Sequence, residues 1–268
     1  MKIKLLISYD GTDYAGWQKQ GDRGADLRPT IQSTLECALT KIFGTKIHIQ
    51  ASGRTDAGTH AAGQVAHFKV PEDALGNPIK NPEKMKLVRS LNALTPPSLS
   101  IKKAWIAPNH FHALRSAQGK TYRYIIHNSS TPNSLADRYS VWVERPLSVD
   151  RLNELSACLI GEHDFKSFQT RGTELKSTIR TITEATWRYI DHETIEFRLT
   201  GTGFLKQMVR NIVGTLIYLH QNKLKSEEMT KILKSCDRQA AKWTAEAKGL
   251  FLDTVYYPSD LDNECREL

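Results

Sequence analysis

Two hydrophobic periodicities alternate along this chain, and their order limits the possible folds more than any other feature. Segments of period two, typical of strands, alternate with segments whose apolar residues recur three and four apart, typical of helices. Each half has the order strand, helix, strand, strand, helix, which is that of a split βαβ motif. The predicted strands are 2–9, 46–52, 64–70, 120–128, 178–190 and 193–200, and the predicted helices are 31–42, 84–94, 148–160 and 204–219.

Local signals mark where several of these elements begin and end. Thr30 is a typical N-cap, Gly44 ends the first helix, and the prolines of 95–97 end the second. The polar tail, 259–268, is expected to fray. We predict an α+β chain with an N-terminal half, 1–108, and a C-terminal half, 109–268.

The composition is that of a soluble protein with a basic surface. The 268 residues include 37 Lys and Arg against 29 Asp and Glu, a net charge of +8, which favours an anionic partner such as nucleic acid. No apolar run approaches a membrane span, and 5–7 is too short for a signal peptide. The cysteines form no metal-binding or redox pattern, so we expect a cytoplasmic protein without a metal; they are Cys37, Cys158, Cys236 and Cys265.

The stretch SGRTDAGTHAAGQVAHF, 52–68, contains the first candidate site. Asp56 has two interpretations, a turn residue or a catalytic carboxylate. Arg54 would hold that carboxylate ionised and oriented, and the surrounding glycines would let a substrate approach closely. The pattern therefore favours Asp56 as a functional carboxylate, with Arg54 beside it.

Two other polar groups support weaker hypotheses. Asp10-Gly11-Thr12 follows a predicted strand, as in some phosphotransfer sites, but the second aspartate of such sites is missing, so a turn is favoured. His60 and His67 have no third ligand nearby, so a metal site is not predicted.

Two further segments combine basic and apolar residues. Tyr122 and Tyr124 share one face of a predicted strand; the pattern fits equally a tyrosine that stacks on a base and an ordinary amphipathic strand. Arg210 borders the apolar stripe of helix 204–219, one turn from Lys206. A half-buried Arg210 would need an anion, and Asp56 is an available one.

Together these segments resemble the bacterial tRNA pseudouridine synthase A family over nearly the whole chain. The motifs in matching order are YDGTDYAGWQKQ, TIQSTLECAL, GRTDAGTHA, SLNALTPP, FHALRSAQGKTYRY, GFLKQMVRNIVGTL and AKGLFLDTVYY. Thr59 stands where the family usually has valine, and Glu246 where it often has proline. Neither departure touches the Arg-Thr-Asp core.

The resemblance implies the pseudouridine synthase fold, with two ferredoxin-like or RRM-like halves that share a mainly antiparallel sheet, its helices on one face. It implies isomerisation of uridine to pseudouridine at positions 38, 39 and 40 in the anticodon arm of tRNA. It also implies that no cofactor or metal is used, and that a homodimer forms a basic cleft across both subunits.

Residue roles follow from the same resemblance. Asp56 is the expected catalytic nucleophile, although addition to the base, attack on the sugar and removal of a sugar proton all remain open. Tyr122 matches the family's active-site tyrosine and is expected to stack on the uracil. Chemistry rather than the resemblance suggests the arginine roles: Arg54, Arg210 or both would pair with Asp56, and we favour Arg210, with Arg54 nearer the phosphates of the flipped nucleotide. The expected basic residues of the RNA cleft are Lys19, Lys120 and Lys206.

An RNA-binding module without catalysis is the main alternative. Tyr122 and Tyr124 would then stack on bases across an RRM-like sheet. That alternative gives no reason for Arg54 and Asp56 among glycines.

Overall fold

The computed structural model describes residues 1–18, 28–77, 80–170 and 176–268. Unit 1 comprises Met1–Gln118 and Leu252–Leu268, and unit 2 comprises Gly119–Phe251. The halves predicted from sequence meet at residue 108, whereas unit 1 extends to Gln118 and includes the C-terminal segment Leu252–Leu268.

Unit 1 follows the predicted order of elements up to residue 118, with one short helix, α2, and one strand more. Its elements up to residue 118 are β1 (Lys2–Tyr9), α1 (Ile31–Phe43), β2 (Gln50–Ala51), β3 (His60–Lys69), α2 (Glu72–Leu75), α3 (Leu87–Leu94) and β4 (Leu99–Ala107). The strand absent from the prediction is β4. Its pairing with β1 skips Lys102, so the alternation of polar and apolar residues is interrupted there.

The first helix begins and ends where its sequence predicts. The side chain of Thr30 accepts a hydrogen bond from the backbone N–H of Ser33, and the Ser33 hydroxyl accepts one from the backbone N–H of Thr30. Gly44 ends the helix in the left-handed region at φ 74° and donates to the Thr40 carbonyl. These local caps explain why α1 is recognisable without tertiary information.

The sheet of unit 1 is antiparallel, with β1 between β3 and β4. β2 adds to the other edge of β3. Ile3, Leu5 and Ile7 alternate on one face of β1 and are fully buried, as are Leu35 and Leu39 of α1. Burial of each such side chain contributes about 1.5–3 kcal/mol.

Unit 2 has the same mixed composition of strands and helices. Its elements are β5 (Gly119–His127), β6 (Val141–Trp142), α4 (Val149–Ser156), β7 (Gly161–Asp164), β8 (Ile179–Tyr189), β9 (Thr194–Gly201), α5 (Met208–Gln221) and α6 (Ser226–Lys234), followed by β10 (Leu250–Tyr256), which continues into unit 1. β9 pairs antiparallel with both β5 and β8. The rings of Trp187 and Phe197 stack between β8 and β9 with centroids 4.5 Å apart.

The late helix α5 starts later than predicted. It begins at Met208 rather than at residue 204, because Gln207 adopts a left-handed conformation at φ 58°. Lys206 therefore precedes the helix and does not lie one turn from Arg210 on its surface, which corrects the sequence prediction. Arg210 lies in the first turn of α5.

The C-terminal tail is ordered, contrary to the prediction that it frays. It forms α7 (Ser259–Asn263) and β11 (Arg266–Glu267), which pairs with β4. The ammonium of Lys4, on β1, lies 2.5 Å from the Asp262 carboxylate and 4.7 Å from the centre of the Tyr257 ring. Leu261 is buried beside them, so apolar packing and an ion pair hold a segment that looks polar in sequence.

The two units together confirm the predicted fold class. The chain is a mixed α+β protein whose strands pair mostly antiparallel; β5 with β6 is a parallel pair. Among the described residues, none of the helices is both long and apolar enough to cross a membrane.

Candidate active site

The loop between β2 and β3, residues 52–59, carries Asp56 and is called the Asp56 loop below. The Asp56 carbonyl accepts a hydrogen bond from the N–H of Thr59 at 3.1 Å, and Gly58 has φ +74°. Asp56 is therefore part of a turn, which is one of the two interpretations that the sequence offers. Its side chain is only partly buried, so the turn does not prevent a role in chemistry.

The turn that follows β1, residues 10–17, packs against the Asp56 loop. Trp17 donates its N–H to the carbonyl of Thr55 at 3.0 Å. A Cβ atom on Gly16, which has φ +91°, would lie 2.7 Å from the same carbonyl oxygen. Only glycine permits this approach, so two separate sequence motifs form one rigid structure around Asp56.

Asp10 and His60 stabilise this packing. Oδ1 of Asp10 accepts hydrogen bonds from the N–H and the hydroxyl of Thr12, as in an Asx turn. The Nδ1 atom of His60 accepts from the N–H of Gly11 at 3.0 Å and lies 3.2 Å from Asp10. The Asp10-Gly11-Thr12 segment is thus a turn, as favoured by the sequence.

His67 contributes to the core of unit 1. Its Nδ1 atom accepts from the N–H of Ala113 at 3.2 Å, and its ring meets Phe111 edge to face at 5.9 Å. Burial lowers its pKa to about 4, assisted by the nearby His112. The described parts of the chain contain no group of three or more His, Cys, Asp or Glu side chains able to hold a metal ion.

The two candidate tyrosines of β5 have different surroundings. Tyr124 is fully buried, its hydroxyl donates to the Glu246 carbonyl at 2.8 Å, and burial raises its pKa. Tyr122 is 8% exposed and its ring meets Phe204 edge to face at 4.9 Å. Tyr124 is a core residue, which leaves Tyr122 as the candidate for stacking. Phe204 was not predicted as a site residue, and its place in the GFLKQMVRN motif was the available signal.

Arg210 is fixed by the segment that precedes β10. Its Nε donates to the Ala245 carbonyl at 2.6 Å, and the Ala245 N–H donates to the Arg210 carbonyl at 3.1 Å. A Cβ on Gly214, one turn later, would lie 2.0 Å from the Trp243 carbonyl, so this segment lies directly against α5. The side chain of Arg210 is half-buried, in line with the sequence expectation.

The remaining candidates differ in environment. Arg54 is exposed beside Asp56, and Lys206 is exposed in the turn before α5. Lys120 is on β5 two residues before Tyr122, hence on the same face, and burial lowers its pKa to about 8. Lys19 lies outside the described residues.

Comparison with known sequences tests which chemistry this arrangement supports. The profile of a family described as tRNA pseudouridine synthase matches residues 5–128 and 156–258, which include every described candidate residue above. The chain belongs to the tRNA pseudouridine synthase family. The resemblance inferred from the motifs is confirmed.

Individual relatives are similar to this chain over nine tenths or more of their own lengths. The tRNA pseudouridine synthase A of Bdellovibrio bacteriovorus is 45% identical, over 100% of this chain and 99% of its own length. The enzyme of the same name from Maridesulfovibrio salexigens is 43% identical over 96% of this chain and 90% of its own. That from Bacillus subtilis is 39% identical, with 96% and 99% covered.

Membership of this family defines the reaction class. The chain is an isomerase that converts uridine to pseudouridine in tRNA. The reaction exchanges an N-glycosidic bond for a C-glycosidic one within one nucleotide, so no group is transferred to or from another molecule.

Proposed function

We propose that this enzyme modifies uridines 38, 39 and 40 of the tRNA anticodon arm, with Asp56 as the catalytic nucleophile. A base within a stem is inaccessible, so each target nucleotide is flipped into a pocket at a cost of a few kcal/mol. That cost is smallest in loops and at stem ends. The anticodon arm offers such positions.

The chemistry requires positioning and charge stabilisation. The bond between N1 and C1′ of the ribose breaks, the uracil turns, and C5 bonds to C1′. The proton lost from C5 is balanced by one gained at N1. A carboxylate serves this sequence by attacking the sugar or the base, or by first removing a sugar proton, and each route needs Asp56 ionised.

The observation that carries the proposal is the rigid setting of a half-exposed Asp56. Its carbonyl, and that of Thr55 before it, both accept backbone hydrogen bonds at 3.0–3.1 Å. Gly16 packs against the same backbone. A carboxylate held in this way reaches a substrate with little loss of conformational entropy.

Two arginines have separate proposed roles. Arg210, half-buried and held by Ala245, pairs with the Asp56 carboxylate and orients it. Arg54 is exposed and suits a phosphate of the flipped nucleotide. The pairing of Arg210 with Asp56 joins residues from two units and remains a prediction.

Tyr122 is the proposed stacking residue. Phe204 contacts the Tyr122 ring edge to face. This contact restricts rotation of the tyrosine ring and so fixes the direction in which its π-face points. Stacking of a base on such a ring contributes about 1–3 kcal/mol. The hydroxyl is suited to move the C5 proton.

The RNA surface extends beyond one site. We propose a cytoplasmic homodimer whose basic cleft spans both subunits and includes Lys19, Lys120 and Lys206. The net charge of +8 supports an RNA partner. Binding should weaken steeply with salt, because each neutralised phosphate releases counterions.

The test is tritium release from tRNA labelled at C5 of uracil. The wild-type enzyme should release tritium, while Asp56→Asn should bind tRNA with unchanged affinity and release none. Equal release by both proteins would reject Asp56 as the nucleophile. Binding without release by the wild type would favour the RNA-binding module.

A further inference from the structure

Tyr9 and Gln64 belong to a buried hydrogen-bond network beneath the Asp56 loop. The Tyr9 hydroxyl, at the end of β1, lies 2.8 Å from Oγ1 of Thr55. Nε2 of Gln64, on β3, donates to the Tyr9 hydroxyl at 3.4 Å. Thr55 directly precedes Asp56, so the network reaches the residue next to the proposed nucleophile.

The same glutamine holds the other side of the loop. Its Nε2 also donates to the carbonyl of Gly53 at 3.0 Å, and its Oε1 accepts from the Ser52 hydroxyl at 2.7 Å. Gln64 therefore uses both N–H groups and its carbonyl oxygen on the loop and on Tyr9. Gly53, before Arg54, is thus tied to Gln64 on β3, and Thr55, after Arg54, is tied to Tyr9 on β1.

Water has almost no access to this network. Ser52 and Gln64 are fully buried, Tyr9 is 4% exposed and Thr55 is 7% exposed. Burial raises the pKa of Tyr9 to about 12, so its hydroxyl keeps its proton for hydrogen bonding at every physiological pH. A buried polar network whose members are satisfied is rigid, because each lost partner leaves a desolvated polar group.

We propose that Tyr9 and Gln64 are positioning residues that set the orientation of Asp56 for the isomerisation. This inference rests on the proposed role of Asp56. Both residues are buried and act through the loop, Tyr9 through the Thr55 hydroxyl and Gln64 through the Gly53 carbonyl. The hydroxyl of Thr55 is the link between Tyr9 and Asp56.

The effect on catalysis follows from geometry. A catalytic group must be held within about 0.5 Å of its productive position, and a 1 Å displacement lowers the rate by about 10²-fold. Removal of the Tyr9 hydroxyl takes away the hydrogen bond of the Thr55 side chain, and among the described residues its backbone bond to Trp17 is retained. The loss should appear in the chemical step and not in the affinity for tRNA.

The test compares Tyr9→Phe with a matched control, Tyr257→Phe. Tyr257 is also in unit 1, is 8% exposed, and donates its hydroxyl to the Ala113 carbonyl at 2.6 Å. Each variant loses one buried tyrosine hydroxyl, so their melting temperatures should fall similarly. Single-turnover tritium release should be at least about ten-fold slower in Tyr9→Phe and unchanged in Tyr257→Phe, with tRNA affinity unchanged in both.

Substitutions at Thr55 test the hydrogen bond between Tyr9 and Thr55 from its other end. They keep the proposal testable if Tyr9→Phe does not fold. Thr55→Val should slow the chemical step as Tyr9→Phe does, and Thr55→Ser, which keeps the hydroxyl, should restore it. The double variant Tyr9→Phe with Thr55→Val should lose no more rate than the slower single variant, because both changes remove one interaction.

The outcomes separate the two proposals. If Asp56→Asn is inactive while Tyr9→Phe and Thr55→Val keep the wild-type rate, the positioning role is wrong and the nucleophile stands. If Tyr9→Phe and Tyr257→Phe slow release equally, the network has only a structural role and the inference is overturned. If Asp56→Asn itself keeps the wild-type rate, the proposed role of Asp56 is wrong, and the positioning role that rests on it is rejected with it.

Discussion

Arg210 and Ala245 hold each other through two hydrogen bonds, one from the guanidinium Nε to the Ala245 carbonyl at 2.6 Å and one from the Ala245 N–H to the Arg210 carbonyl at 3.1 Å. The two bonds hold the first turn of α5 against the Ala245 segment. They also fix the position of Nε, the guanidinium nitrogen nearest the backbone. The Nε end of the guanidinium is thus oriented by the backbone of Ala245.

Arg210→Lys should therefore be a severe change although it keeps the charge. A lysine has no Nε donor for Ala245 and presents a point charge instead of a planar fork. We expect kcat for tRNA to fall by about 10²-fold. The control is Arg188→Lys in the same unit, whose guanidinium Nε donates to Glu196 at 2.8 Å, and which should keep its kcat. Equal effects in steady-state kinetics would reject the role of Arg210.

Tyr122 should separate stacking from proton transfer. Tyr122→Phe keeps the ring that packs on Phe204, so tRNA affinity should be retained while turnover slows. Tyr122→Ala should weaken binding by about 1–3 kcal/mol as well. Filter binding and tritium release measure the two effects. A wild-type rate in Tyr122→Phe would remove the proton role and leave stacking alone.

The Asp56 loop also contains Thr59, whose buried hydroxyl destabilises the folded chain. Oγ1 of Thr59 is buried, and among the described residues no atom forms a hydrogen bond with it. Thr59→Val should raise the free energy of unfolding by about 1 kcal/mol, because it removes a desolvated hydroxyl at constant volume. Thr55→Val, which breaks the bond to Tyr9, should lower it. Denaturant unfolding measures both free energies of unfolding. A Thr59→Val variant less stable than the wild type would contradict this prediction.

His67 should make the protein sensitive to acid. Its pKa is lowered to about 4 in the folded chain from an ordinary value of 6.5. Between these values the unfolded chain binds a proton that the folded chain does not, so the free energy of unfolding falls as pH decreases. The expected loss between pH 7 and pH 5 is about 2 kcal/mol. His67→Gln should show a shallower dependence in denaturant unfolding at these two pH values; an unchanged slope would exclude His67.

The elements that sequence predicts well are those defined by local signals. The helix α1 is bounded by Thr30 and Gly44, and each of them bonds only a residue three or four positions away in the caps described above. The strand β4 is missed because a bulge at Lys102 breaks its alternation, and only pairing with β1 reveals it. The start of α5 is misjudged because apolar residues at 204 and 205 fit the helical period, while Gln207 leaves the helical conformation.

The candidate site shows the same division. The cluster of Arg54 and Asp56 among glycines is visible in sequence because it is local. The strand pattern alone does not distinguish Tyr122 from Tyr124, because they share a strand face; in the sequence only the family resemblance points to Tyr122. The choice depends on the Glu246 carbonyl, 122 residues from Tyr124, which makes that tyrosine a core residue. The network of Tyr9 and Gln64 is likewise invisible, since its members are 55 residues apart.

The most direct measurement is the position of pseudouridine in an unmodified tRNA transcript after incubation with the purified enzyme. Chemical labelling of pseudouridine followed by sequencing reads each position. We predict pseudouridine at positions 38, 39 and 40 wherever the transcript has uridine there, and none with Asp56→Asn. Pseudouridine only outside the anticodon arm, or equal modification by Asp56→Asn, would contradict the account.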